Sequence, residues 1–488
     1  MTQNDRKLAF SSKLTYGVGQ LAEGLKNTSF GLFLLFFYNQ VLGVSGTLCG
    51  LALFIALLFD AVSDPVAGSL SDGWRSRWGR RHPFMYASAV PLAIAYSLLF
   101  APPAFGEIGL FVWLTVFAVL TRAAMTLYHV PHIALGAELT ENFEERTSIV
   151  GYRTAFGVLG GLTAASVGLG IYFAATPEFP NGQLNAAQYP PYALLLAGGM
   201  VVTIWVSALG TQKEIAFLPR PADRGEPFSF MRVARETGEA LRNASFRWLF
   251  AGVIIVFVMV GVDGSLNLYM NTFFWELSPT WILLITVAAQ IGIVCGTTVT
   301  RYLHRFFDKK PAVVWGTAWW AFWQIIPVGL RLLDLFPENG TPTLIWTLFV
   351  IRFIQGAGVV QALVSFGSMM ADVVDEHELN TGRRQEGIFF GAVSFSNKAA
   401  SGFGSAIAGI GLDVIGWPTG ESIRTAADIP PETIVNLGIF FGPCVAGFAV
   451  VSVWCYVHYK LDRQRHQEIL DELRSLRAKR ETGALSTR

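Results

Sequence analysis

Twelve stretches of this chain are apolar over a length that can cross a bilayer, and that repetition restricts its fold more than any other feature. A spanning helix needs about 20 mostly apolar residues. Candidate runs fall at 16–42, 45–70, 84–104, 108–136, 148–174, 190–211, 248–275, 280–303, 312–334, 343–370, 386–415 and 433–458. Charged residues make up 15% of the sequence, against roughly 25% in soluble domains, and mean hydropathy is +0.45. These values predict an all-α polytopic membrane protein. The net charge of +1 gives no sign of a nucleic-acid partner, because the charges are sorted by loop.

That sorting sets an orientation. Arg75 to Arg81, Arg146, Lys213 to Arg247, Arg301 to Lys310, and Arg383 with Arg384 fall in loops on the side of the termini. The loops at 101–108, 175–190 and 276–281 contain no Lys or Arg, and Arg424 is the exception at 416–432. Cations concentrate in cytoplasmic loops, so both termini are expected in the cytoplasm. The first fourteen residues lack the compact apolar core and cleavage site of a signal peptide, so the first span is expected to be retained. Cys49, Cys295, Cys444 and Cys455 lie in apolar runs without paired spacing, which argues against disulfides and a zinc site. The connection at 212–247 divides the chain into a six-span bundle at 1–211 and another at 248–459. A tail at 460–488 follows, with Leu461, Ile469, Leu470, Leu473 and Leu476 at helical spacing. It reads equally as a helix against the cytoplasmic face or membrane and as a solvated helix.

Ionisable residues inside spans usually face a cavity or a partner. Asp60 and Asp64 are four apart, with Ser63 beside them, and share one helix face. They are the candidate holders of a monovalent cation, sodium or a proton; neutralisation by Arg122 or Lys398 is the structural alternative. Other spans offer Glu23, Lys26 and Asn27, then Thr126, His129 and His132, then Arg153, Asn267 and Asn271, Arg352, and Asn397 with Lys398. Glu23 and Lys26 could pair with each other, and Asn267 and Asn271 could join helices.

Two loop patterns combine acids with a basic turn. Asp72 precedes Arg77, Arg80 and Arg81, and Pro83 starts the next helix. Asp372 and Asp375 precede Arg383, Arg384 and Glu386. Such clusters are expected either to lock and release the cytoplasmic side as gates or only to orient the loops by charge.

Three segments together carry a resemblance: KLTYGVGQ from Lys13, DAVSDPVAG with SRWGRRHP, and MMADVVDEHELNTGRRQEG followed by Asn397-Lys398. In this order they resemble the glycoside–pentoside–hexuronide:cation symporter family, from about Lys13 to Lys398. The resemblance implies a major facilitator fold of twelve transmembrane helices in two six-helix bundles. It also implies symport of a sugar, glycoside or related solute with a monovalent cation by alternating access. The family's cation positions fall on Asp60, Ser63, Asp64 and Thr126, with Ser63 where the pattern has asparagine. Its sugar positions fall on Gly24, with Glu23 adjacent, on His129 in place of an aspartate, and on Arg153; Lys398 matches a helix-eleven lysine. The two missing carboxylates leave open a rival solute, an organic anion held by Arg153 and Arg352 or an amphiphile. The expected partners are a small-molecule solute, a monovalent cation and the lipid bilayer of a bacterial inner membrane, with the chain a monomer. No cofactor and no enzyme activity are expected, since no zinc triad, nucleophile elbow or phosphate loop occurs.

Overall fold

The structure, a computed structural model, describes residues 7–140, 142–218, 235, 238–382, 386–420 and 422–486. Among these residues, helices follow one another through short loops, and no strand occurs. The first six are α1 (Phe10–Ser29, continued by π turns to residue 41), α2 (Gly46–Gly73), α3 (His82–Leu99), α4 (Glu107–Glu138), α5 (Phe143–Val167, continued to residue 172) and α6 (Tyr189–Thr211). Then come α7 (Ala244–Phe274), α8 (Pro279–Phe306), α9 (Lys309–Leu332), α10 (Pro342–Thr381), α11 (Glu386–Val414), α12 (Pro431–Val457) and the tail helix α13 (Arg463–Ser486). Nine of the described helices are long and apolar enough to cross a membrane.

Local chemistry sets the ends. The Ser45 hydroxyl caps α2 by accepting from Leu48 N–H, and Asn142 caps α5 by accepting from the amides of Glu144 and Glu145. Thr341 caps α10, Pro342 opens it, and Gly382 ends it at φ 70°. At 40 residues, α10 is about 60 Å long, twice the hydrocarbon thickness. It therefore runs eleven residues past the expected end of its apolar run, carrying Asp372 and Asp375 out of the apolar region.

The chain forms two compact units. One comprises Met1–Phe228, Gly261–Leu283 and Ser401–Gly438; the other comprises Ser229–Val260, Leu284–Ala400 and Ile439–Arg488. This division cuts across the sequence halves on either side of 212–247. In the first unit α1 packs on α5 and α6, α2 on α4, and α3 on α4 and α6. The far end of α11 lies against the start of α2. A side chain at Gly46 would collide with the Gly409 carbonyl, and one at Gly409 with that of Gly46. Asp413 then accepts from the first amides of α2, those of Gly46 and Thr47, both at 2.8 Å. Tyr269 OH donates to Asn39 Oδ1 at 2.6 Å, and Trp417 Nε1 donates to Gln40 Oε1 at 2.6 Å, at this same end.

In the second unit α9 packs on α10 and α12. Its buried core includes Phe246, Met369, Val373 and Phe389, and Ile469 and Leu473 of α13 join that core. The tail helix is thus docked on protein, while Leu476 stays exposed.

Candidate ion and solute site

The candidate ion residues come together where α2 packs on α4. Asp60 is buried, with Ser63 and Asp64 half-buried on the same face of α2. Thr126 of α4 lies opposite, with its hydroxyl 2.8 Å from Asp60 Oδ1 and 2.9 Å from Asp64 Oδ1. Ser63 Oγ is 3.5 Å from Thr126 Oγ1. A threonine hydroxyl has one hydrogen, so it donates to one carboxylate at a time and leaves a second short contact between oxygens. Hard oxygens converging in this way suit a small monovalent cation or a shared proton. Pro65 sits inside α2 and has no N–H to give the Ala61 carbonyl, which loosens the ladder one residue beyond Asp64.

Arg122, one turn before Thr126, points the same way. Its Nη1 is 3.1 Å from Asp60 Oδ2, and both side chains are buried. The sequence offered Arg122 as one of two neutralising partners; the structure gives it Asp60.

The candidate solute residues of the first half form a neighbouring group on α1, α4 and α5. Glu23 Oε1 accepts from Asn27 Nδ2 at 2.8 Å and from Lys26 Nζ at 3.3 Å. Glu23 lies close enough to Asp60 to interact with it, so this group adjoins the ion site. Gln20 Nε2 lies 3.2 Å from His129 Nε2. Arg153 lies by the Tyr16 hydroxyl. Two acceptors here, Glu23 Oε2 and Gln20 Oε1, are buried without a hydrogen-bond donor among the described residues. Gly24 has a different place: a side chain there would strike the Gly157 carbonyl, so it serves the close packing of α1 on α5. His132 is a core residue, stacked on Tyr16 with ring centroids 4.4 Å apart and bonded to the Tyr16 carbonyl at 2.9 Å.

Lys398 is half-buried on α11 within the second unit. Arg352, also there, donates to Gln355 Oε1 at 2.8 Å on its own helix. Asn271 donates to Asn267 at 2.8 Å along α7.

The acid–base clusters have partners that the sequence patterns did not reveal. Arg81 contacts Asp72, donates to Ser71 Oγ at 2.6 Å, and pairs with Glu138 Oε1 at 2.7 Å. Arg80 reaches the same carboxylate at 2.8 Å. Arg77 is exposed, its guanidinium 5.3 Å from the Trp78 ring centroid. Asp372 is held by Lys309 Nζ at 2.7 Å, and His466 of α13 lies 3.4 Å from Asp372 and 3.2 Å from Asp375. Glu386 is exposed, while Arg383 and Arg384 lie outside the described residues. Glu138, Lys309 and His466 were missed because each is far in sequence from the acid or base it serves. Only their positions at helix ends, opposite in sign to a neighbouring loop, hinted at them.

The pattern of the family described as MFS/sugar transport protein matches residues 15–463. The chain belongs to this family. Transport rather than enzyme catalysis is therefore its activity, no cofactor is called for, and it is an integral membrane protein. It is 25% identical to the uncharacterized symporter sll1374 of Synechocystis, over 96% of this chain and 97% of that one. It is 26% identical to the putative glycoside/cation symporter YagG of Escherichia coli K12, over 89% and 88%. The inward-open xylose transporter XylE of E. coli has the same fold, with a TM-score of 0.61 at 14% identity over 96% of this chain and 99% of that one. The major facilitator fold expected from the sequence is the fold found.

Proposed function

We propose that this transporter moves a polyhydroxylated solute, a sugar or glycoside, together with one species of monovalent cation, sodium or a proton. The observation that carries this reading is the single Thr126 hydroxyl set between oxygens of Asp60 and Asp64 at 2.8 and 2.9 Å. One hydrogen serves two carboxylates poorly, and a bound cation relieves the repulsion between them. Asp60, Ser63, Asp64 and Thr126 form the ion site, and Glu23, His129 and Arg153 the first-half part of the solute site.

The solute class follows from hydrogen-bond supply. Glu23 Oε2 and Gln20 Oε1 are buried acceptors awaiting donors, and unpaired buried acceptors cost about 1–3 kcal/mol each. Sugar hydroxyls supply such donors; an anion supplies further acceptors. Names of relatives such as the glycoside/cation symporter point the same way. In this reading the bundles at 1–211 and 248–459 alternate access from a monomer in the bacterial inner membrane, with both termini cytoplasmic. Lys398 couples the second bundle to transport, and the Asp72, Arg80, Arg81 and the Asp372, Asp375 clusters act at the cytoplasmic gate.

Uptake of a panel of labelled glycosides into proteoliposomes tests this, under a sodium gradient or a proton gradient. At least one glycoside is expected to accumulate with one of the two gradients and to stop accumulating in D60N and D64N. E23Q is expected to weaken solute binding about tenfold while leaving cation binding in place. Uptake indifferent to both gradients and to both aspartate substitutions overturns the reading.

A further inference from the structure

Arg122 makes an unusual contact for a buried arginine. Its guanidinium carries five N–H donors in a fork suited to two-point contact with a carboxylate. Among the described residues, its ion-pair contact is Nη1 to Asp60 Oδ2, at 3.1 Å. Its Nε is buried with no hydrogen-bond partner among the described residues. The rest of the group lies over the Phe30 ring, 5.3 Å from its centroid, a contact that holds a cation without fixing its direction. Arg122 is thus anchored at one oxygen and able to swing on the ring.

The oxygen it holds belongs to the same carboxylate that Thr126 contacts through Oδ1. A positive charge is therefore already seated on the outer edge of the ion cluster. We propose that Arg122 is a tethered competitor of the coupling cation: it neutralises Asp60 when the site is empty and is displaced toward Phe30 when the cation enters. This inference rests on the ion-site reading above and adds a residue that sets cation affinity. A buried aspartate left without counter-charge is costly, so a tethered guanidinium lets the empty protein keep Asp60 ionised. The same guanidinium repels an incoming cation over a few ångströms of low-dielectric interior.

The test titrates purified full-length protein with NaCl, with LiCl and, in sodium-free buffer, with acid. Thermal shift is the readout, and choline chloride holds ionic strength constant. Wild type, R122Q, R122K and D60N are compared. R122M, uncharged and close to arginine in stem volume, replaces R122Q if that variant does not purify as a single species. Removing the charge is expected to lower the half-saturating concentration of the active cation about tenfold or more, and R122K to keep it within about threefold of wild type. An equal or higher half-saturating concentration in R122Q or R122M, with the response absent in D60N, overturns the role of Arg122 while leaving the ion site intact. A response that persists unchanged in D60N overturns the ion-site reading itself. If R122K behaves like R122Q, the effect belongs to the guanidinium's shape and not its charge, which also overturns the competitor role.

Discussion

The C-terminal parts of α4 and α10 carry the same kind of contact made from different chemistry. In each half, a base at the start of the third helix meets an acid in the C-terminal part of the fourth: Arg81 with Glu138, the last residue of α4, and Lys309 with Asp372, which α10 passes before it ends at Thr381. Parallel repeats place these helices in equivalent positions. The sequence patterns pair the 72–81 turn with the 372–386 turn, whose Arg383 and Arg384 lie outside the described residues. The Arg81 side chain is 5% exposed and bound to Ser71, Asp72 and Glu138, whereas Lys309 is 33% exposed and touches one carboxylate. The second cluster recruits His466 from the tail helix instead. The first-half cluster is a buried fork; the second is a point charge at a rim, backed by a docked helix.

If that contrast is right, the largest effect lies at Glu138. E138Q removes the carboxylate shared by Arg80 and Arg81 and leaves the buried Arg81 guanidinium with the exposed Asp72 as its counter-charge, at a cost of about 2–3 kcal/mol. Thermal denaturation in detergent should show a large drop in Tm, with faster hydrogen exchange where α2 and α4 end and α3 begins. A drop no larger than that of K309A breaks the comparison. Next comes the tail helix, whose Ile469 is fully buried against the second unit. I469A should cost about 2 kcal/mol, the low end for such truncations, because a helix on a surface can resettle. Its exchange signature should appear at the C-terminal end of α10 and spare α4.

The spans were legible because apolar length is a local property, and each lay within a few residues of its expected bounds except where polar sequence continued a helix. Beyond Met370, Asp372 to Thr381 remain helical, since Gly382 and not the end of apolarity stops the turn. The proximity of Asp60 and Asp64 was legible from their i, i+4 spacing, and Thr126, named by the family resemblance, lies against both. Partner choice was legible only in part. Nothing local to Arg81 names Glu138, 57 residues away, whereas Arg122 was one of two candidates for Asp60 and meets it. Gly24, aligned with a solute position, proves to be where α1 touches α5, because the missing side chain leaves room for backbone. The two compact units were equally hidden, since close approach of Gly46 and Gly409 joins helices from opposite ends of the chain.

Conservative swaps give the smallest effects and the cleanest separation. R81K keeps the charge but lacks the fork that reaches Ser71, Asp72 and Glu138 together, so about 1–2 kcal/mol should be lost with two of its hydrogen bonds. K309R can meet both oxygens of Asp372, as Lys309 does at 2.7 Å each, and should be within about 0.5 kcal/mol of wild type. K309A should cost about 1 kcal/mol or less, since a one-third exposed pair is screened by solvent. The same screening predicts opposite responses to salt. Between low and high ionic strength the K309A penalty should shrink toward zero, because the pair it removes is already weakened. The R81K penalty should persist, because it reflects lost geometry around a buried group that ions do not reach. Two Tm series in detergent, each at low and high salt, distinguish the cases, and a salt-sensitive R81K penalty would show that both halves rely on exposed charge alone.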